Sequence, residues 1–165
     1  MILVKDNYLS KQEHETLYKK ITSGFFPLYF SLYKSYPDEE KKGKLESFQF
    51  FHMFYNLSRV TSPSFDILEP ILSKLNYKSL IRIKLNLNPY SQKLIISAYH
   101  QDTAFKGKGA IYYLNTNNGY TLFKEGKKKI NSVKNRMIFF DSDAYHLGTN
   151  STDCKNRLVL NFNYF

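Results

Sequence analysis

Between Arg82 and Asn88 the chain alternates polar and apolar residues without a break, Arg-Ile-Lys-Leu-Asn-Leu-Asn, and Pro89 stops the run. A period of two means a strand with one polar and one buried face, because successive side chains leave a strand on opposite sides. That stretch commits the second half of the chain to a sheet. Short runs of strand length follow at close spacing: 94–100, 109–115, 120–124, 130–133, 137–141 and 157–164. Turn-forming residues separate them, at Gly107 and Gly109, Asn117 to Gly119, Glu125-Gly126, Asn135 and Gly148. Many short strands with regular turns predict a sandwich or barrel.

The first half has a different texture. Residues 6–22 predict a helix, with Ser10 as N-cap, Glu13 as its capping-box partner, and Leu9, Leu17 and Ile21 as an approximate apolar stripe. His14, on that polar helix, is expected to face solvent. Residues 64–75 predict a second helix through Phe65, Leu68, Ile71, Leu72 and Leu75. Residues 48–55 (FQFFHMFY) fit a buried strand or a helix, and His52 within them reads as a satisfied core histidine rather than a ligand. Residues 37–43 read as an exposed polar loop. No repeat or linker divides the chain, so its 165 residues fit one domain, with 1–79 as helical and aromatic support for 80–165.

Composition narrows the partners. The net charge of +10 comes from 24 Lys and Arg against 14 acids, but only Arg59, Arg82, Arg136 and Arg157 are arginines. Specific nucleic-acid readers depend on Arg forks, and lysines spread along the chain read as a solvated surface. Cys154 is the only cysteine, which excludes an internal disulfide and fits a reducing, cytoplasmic setting. No run of 18 apolar residues and no leader pattern stands in the sequence, so a soluble, unprocessed protein with no membrane partner is expected.

The residues with chemistry cluster late. At the end of one expected strand stands Tyr99-His100-Gln101-Asp102, where His100 and Asp102 share a face. A second histidine, His146, follows after several strands. Two His and one carboxylate make the facial triad of non-haem Fe(II), which leaves coordination positions open. Arg157 opens the last strand and shares a face with Val159, Asn161 and Asn163. An Arg on an inward face is costly unless it meets an anion, and a dicarboxylate cosubstrate would supply one. Asp141 and Asp143 are candidates to orient the His146 ring, with turn roles as the alternative.

In this order the chain resembles the 2-oxoglutarate- and Fe(II)-dependent oxygenases, and more closely their prolyl 4-hydroxylase-like branch. The similarity covers residues 80–165. It includes Ala110-Ile-Tyr-Tyr-Leu-Asn115, Asn135-Arg136 ahead of Phe139-Phe140, and the strand from Arg157 to Phe165. The resemblance implies a mainly β protein with N-terminal helices (α+β), built on a double-stranded β-helix, a jelly-roll or cupin-like barrel. His100, Asp102 and His146 match the iron ligands. Arg157 matches the residue that pairs with the distal carboxylate of 2-oxoglutarate, and Tyr113 a phenol that hydrogen-bonds it. Asn88 stands before Pro89 where animal-type prolyl hydroxylases place a Tyr, and it too can donate to that carboxylate. Fe(II), with 2-oxoglutarate and O2 as cosubstrates, would then hydroxylate a C–H bond and release succinate and CO2. The same resemblance implies a protein or peptide substrate such as a prolyl side chain, with a small molecule as the alternative. Nucleic-acid dealkylases of the superfamily carry a second Arg six residues after the first; here that residue is Asn163, which argues against a nucleic-acid substrate.

Plainer readings stand beside these. His100 and Asp102 also fit a hydrogen-bonded surface pair. The same barrel can serve as a non-catalytic module using its basic surface, and two His with one carboxylate also bind Zn. Substrate recognition is expected from the 99–109 stretch, with Lys106 and Lys108, and from the 48–55 segment, with His52 and Tyr55. Cys154 has no assigned role.

Overall fold

The alternating run lies at the centre of a computed structural model that describes residues 1–34, 48–103 and 106–165. The expected polar loop at 37–43 lies outside the described residues. The run forms β5 (Leu80–Pro89), paired on one side with β11 (Asn156–Tyr164) and on the other with β3 (Gln49–Asn56). Antiparallel pairing extends beyond β11 to β6 (Lys108–Tyr113), β9 (Arg136–Asp141) and β1 (Leu3–Lys5). On the other side β3 carries β2 (Tyr29–Ser31) and the short β4 (Arg59–Val60). A second antiparallel sheet runs β10 (His146–Gly148), β7 (Tyr120–Phe123), β8 (Lys129–Asn131).

Alternation along β5 and β11 sorts their side chains. Ile83, Leu85, Leu158, Leu160 and Phe162 turn to one side and pack against Leu17 and Ile21 of α1 (Lys11–Thr22) and against Leu68, Ile71, Leu72 and Leu75. On the opposite side Ile111, Tyr113, Ile138, Phe140 and Val159 meet Phe123 and Ile130 of the small sheet. Helices therefore cover one face of the large sheet and the small sheet covers the other, the usual way for two-sided sheets to bury both faces.

Several expectations change in detail. The 64–75 helix is a 3₁₀ turn (Phe65–Leu68) running into a single short helix, α2 (Glu69–Leu72). Pro70, in the first turn of α2, has no N–H to continue the upstream turn, so the chain restarts there. The 48–55 segment is a strand, and β1 to β4 all join the large sheet, so the N-terminal half supplies strands as well as support. The expected 94–100 strand reduces to two isolated bridges, Ile96 with Thr149 and His100 with His146. Side chains take over part of its ladder: Ile95 N–H donates to Asn150 Oδ1 at 2.7 Å and Gly148 N–H to Ser97 Oγ at 3.0 Å, beside the backbone bond from Ser97 N–H to the Gly148 carbonyl at 3.0 Å.

α1 begins where expected, with both halves of the Ser10–Glu13 capping box present. His14, however, is not solvent-facing. It lies on the buried stripe with Leu17 and Ile21, and its Nδ1 is 2.6 Å from the Tyr112 hydroxyl, which donates to Asn135 Oδ1 at 2.9 Å. A polar side chain on an inward stripe is tolerated because this buried chain of hydrogen bonds satisfies it. His52 is a satisfied core histidine, with Nδ1 at 2.8 Å from the Pro27 carbonyl and Nε2 at 2.7 Å from Ser62 Oγ. Among the described residues no helix is long and apolar enough to cross a membrane.

Candidate metal centre

His100 and His146 are brought together by backbone. Each N–H donates to the other's carbonyl, at 2.9 and 3.0 Å, a paired antiparallel bridge that sets the two rings side by side with centroids 4.7 Å apart. Each ring then turns its Nδ1 onto the carbonyl two residues earlier, Ala98 for His100 at 3.2 Å and Ala144 for His146 at 3.0 Å. A carbonyl only accepts, so both Nδ1 atoms donate there, which leaves both Nε2 atoms as the positions that can meet a metal. This is how histidine ligands are oriented for a metal.

Asp102 completes the group. The candidate ligand atoms of His100, Asp102 and His146 all lie within 4.8 Å of one another. Both carboxylate oxygens are held: Arg82 Nη2 donates to Oδ1 at 3.1 Å and Asn163 Nδ2 donates to Oδ2 at 3.2 Å. Arg82 Nε also donates to Asn163 Oδ1 at 3.0 Å, and the two residues are register partners on β5 and β11. Burial alone would push the Asp102 carboxyl up, but His146, Arg82, His100 and the Asn163 bond together hold it below the usual carboxylate range. Burial, with His146 adding to it, lowers His100. The centre thus presents an ionised carboxylate beside His100, an imidazole that burial disfavours protonating.

A polar cavity of about 70 Å³ opens beside the triad, its wall including His100, His146, Asn86, Asn88, Thr121, Arg157 and Asn161. Arg157 is 3% exposed and, among the described residues, bonds hydroxyls, with Nε donating to Ser132 Oγ at 2.8 Å and Nη2 to Thr121 Oγ1 at 3.1 Å. Burial depresses its pKa, and among the described residues no carboxylate pairs with it. Asn88 is its register partner and is likewise buried. Gly119 lets the chain pass here: a Cβ would stand 2.5 Å from the Asn150 carbonyl oxygen and 2.6 Å from Arg157 Cδ.

Tyr113 lies one layer behind this wall. Arg157 stacks over its ring at 5.6 Å, and its hydroxyl donates to Thr121 Oγ1 at 2.8 Å, so Thr121 rather than the phenol meets the cavity. Asp141 and Asp143 do not orient His146; the Ala144 carbonyl does, while Asp141 pairs with Lys108 at 2.7 Å. His52 and Tyr55 pack toward the helices, away from the cavity. Lys106 and Lys108 belong to a separate surface depression with Phe165. Sequence reasoning passed over Arg82, Lys84 and Asn86, although the period of two had placed all three on the face of Asn88.

No family model and no curated protein matches the chain. Solved structures do. A viral collagen prolyl hydroxylase from Paramecium bursaria Chlorella virus-1, solved with 2-oxoglutarate, matches at TM-score 0.64 and 15% identity over 98% of this chain and 94% of that one. A prolyl hydroxylase from Trichoplax adhaerens, in complex with a hypoxia inducible factor peptide fragment, matches at 0.64 and 15% over 99% and 83%. A non-haem alpha-ketoglutarate-dependent epimerase of nogalamycin biosynthesis matches at 0.68 and 11% over 99% and 77%. The likeness is one of fold: this chain is built as 2-oxoglutarate–Fe(II) oxygenase structures are built, prolyl hydroxylases among them.

Proposed function

We propose that this protein is an Fe(II)- and 2-oxoglutarate-dependent oxygenase with a double-stranded β-helix core, and that it hydroxylates a C–H bond of a protein or peptide side chain. The carrying observation is the juxtaposition of a convergent His-Asp-His group with a buried Arg157 that pairs with no carboxylate among the described residues, across one small cavity. Each half fits its partner. Two oriented imidazoles and an ionised carboxylate suit Fe(II). The guanidinium, with Asn88 beside it, suits the distal carboxylate of a diacid. A zinc hydrolase would use the triad and leave Arg157 buried without an anion, and a non-catalytic module would need neither.

Bound Fe(II) would supply the redox chemistry that couples decarboxylation of 2-oxoglutarate, with O2, to C–H hydroxylation. The chain's own residues do the rest. His100, Asp102 and His146 would hold the ion. Arg82 and Asn163 fix the Asp102 carboxylate, and the Ala98 and Ala144 carbonyls fix the tautomers of the rings. Arg157, set by Ser132 and Thr121, would hold the distal carboxylate of the cosubstrate. Phe123 and Phe140, 5.6 and 5.1 Å from the His146 ring, wall off water on that side.

A peptide substrate is supported by the named structural neighbours, one of which was solved with a peptide. The test is succinate formation from 2-oxoglutarate by Fe(II)-loaded protein with and without a peptide library. Turnover that needs Fe(II), rises with particular peptides and vanishes in His146→Ala is expected. Metal-independent turnover, or none with any metal, contradicts the reading.

A further inference from the structure

The face that carries Arg157 and Asn88 also carries a second cation. Lys84 is the register partner of Asn161 and lies between Arg82 and Asn86 on the inward side of β5. Its ammonium makes no hydrogen bond or ion pair among the described residues and lies over the Phe51 ring on β3, 4.8 Å from its centroid. Burial, with Arg82 adding to it, pulls its pKa down to about 8 against the opposing pull of the Asp102 carboxylate, whose two oxygens are bonded by Arg82 and Asn163 rather than by Lys84.

In the reading above both ends of the cosubstrate are committed, one carboxylate to Arg157 and the keto-acid end to the metal. Lys84 stands four residues up the strand from Asn88, about 13 Å at the rise of an extended chain. Lys84 also leans toward β3 rather than lining the cavity. In the loaded site the charges of Fe(II) and 2-oxoglutarate cancel, and Arg82 offsets Asp102. Arg157 and Lys84 remain, so the site offers a net positive field to whatever enters last. Opposite Lys84, Asn161 Oδ1 is buried and unbonded, a vacant acceptor for an N–H.

Resting on the reading above, we propose that Lys84 receives a carboxylate of the substrate, next to an N–H that Asn161 accepts. The substrate then presents an acidic amino-acid unit beside the carbon that is hydroxylated. The carboxylate comes from an acidic side chain in a peptide or from a small N-acyl amino acid, and matched probes separate the two.

The experiment is calorimetric titration of anaerobic protein loaded with Fe(II) and 2-oxoglutarate, whose charge-transfer band confirms loading. One probe pair is acetyl-Ala-Glu-Ala-amide against acetyl-Ala-Gln-Ala-amide; the other is N-acetylalanine against N-acetylalaninamide. In at least one pair the carboxylate member binds about tenfold or more tightly than its amide twin, the scale of one charged hydrogen bond. Lys84→Gln abolishes that preference, Lys84→Arg keeps most of it, and both variants bind 2-oxoglutarate as the parent does. No carboxylate preference in either pair, a preference that survives Lys84→Gln, or weakened 2-oxoglutarate binding in that variant overturns the assignment. A parent without the charge-transfer band overturns the metal-centre reading and this inference with it; an intact band without a carboxylate preference overturns this inference alone.

Discussion

Replacing Arg157 by Met separates two roles that one buried charge cannot serve equally well. The guanidinium is 3% exposed, bonds Ser132 and Thr121, and has no acid partner among the described residues. Burying an ion costs several kcal/mol, and two neutral-partner hydrogen bonds of about 1 kcal/mol each return only part of it. Methionine has similar reach and no charge, so the ligand-free fold of Arg157→Met should be as stable as the parent or more so. A gain of about 1–2 kcal/mol raises Tm by roughly 2–8 °C in a chain of this length. Binding of 2-oxoglutarate moves the opposite way. Loss of hydrogen bonds to a charged carboxylate costs about 1.5–3 kcal/mol, on the order of 10- to 150-fold in Kd. Thermal melts of the apo protein and calorimetric titration with 2-oxoglutarate read the two quantities independently. A variant that melts well below the parent yet binds 2-oxoglutarate equally would refute the reasoning, because Arg157 would then be a structural residue.

Other perturbations test the remaining parts. Arg82→Leu frees one oxygen of Asp102 and should weaken Co(II) affinity by about tenfold or more, with Arg82→Lys recovering part of it and 2-oxoglutarate affinity at saturating metal unchanged; equal metal affinity counts against this role. Gly119→Ala drives a methyl into the Asn150 carbonyl and Arg157 Cδ, so stability should fall by about 1–3 kcal/mol and 2-oxoglutarate binding with it, whereas an unperturbed variant would contradict the close approach. Burial lowers His14, and likewise His52, so each is protonated less readily in the fold than in the unfolded chain. The unfolded state therefore binds more protons below about pH 6.5, and stability of the apo protein falls as pH drops through the window down to the folded pKa values. Urea midpoints at pH 7.5 and 5.5 measure this, and His14→Gln with His52→Gln should flatten the slope; a slope they leave intact would place the titration elsewhere.

What the sequence disclosed follows a physical pattern. Alternation from Arg82 to Asn88 gave β5 because a half-buried strand must alternate, and the same rule set Arg157, Asn161 and Asn163 on the site face. Strands β1, β2 and β4 escaped because each is two or three residues long, too short for any period. The 94–100 stretch read as a strand from its apolar residues, but side chains of Ser97 and Asn150 took over part of the bonds a ladder would use. His14 read as exposed because Lys11, Glu15, Lys19 and Lys20 surround it in sequence, while only the docking of α1 shows which stripe turns inward. The triad was legible as an ordered set of residue types. Its support was not, because Arg82 reaches Asp102 across 20 positions of sequence and Asn163 across 61.

The most direct test of the account is an anaerobic absorption titration of Fe(II) with 2-oxoglutarate in the purified protein. Simultaneous chelation of iron by the triad and the keto acid predicts a metal-to-ligand charge-transfer band that saturates at one equivalent. His100→Ala, Asp102→Ala and His146→Ala should each lose the band while keeping the parent's far-ultraviolet circular dichroism. A parent that shows no band, or an Asp102→Ala variant that shows the parent's band at the same Fe(II) concentration, would contradict the metal centre proposed here.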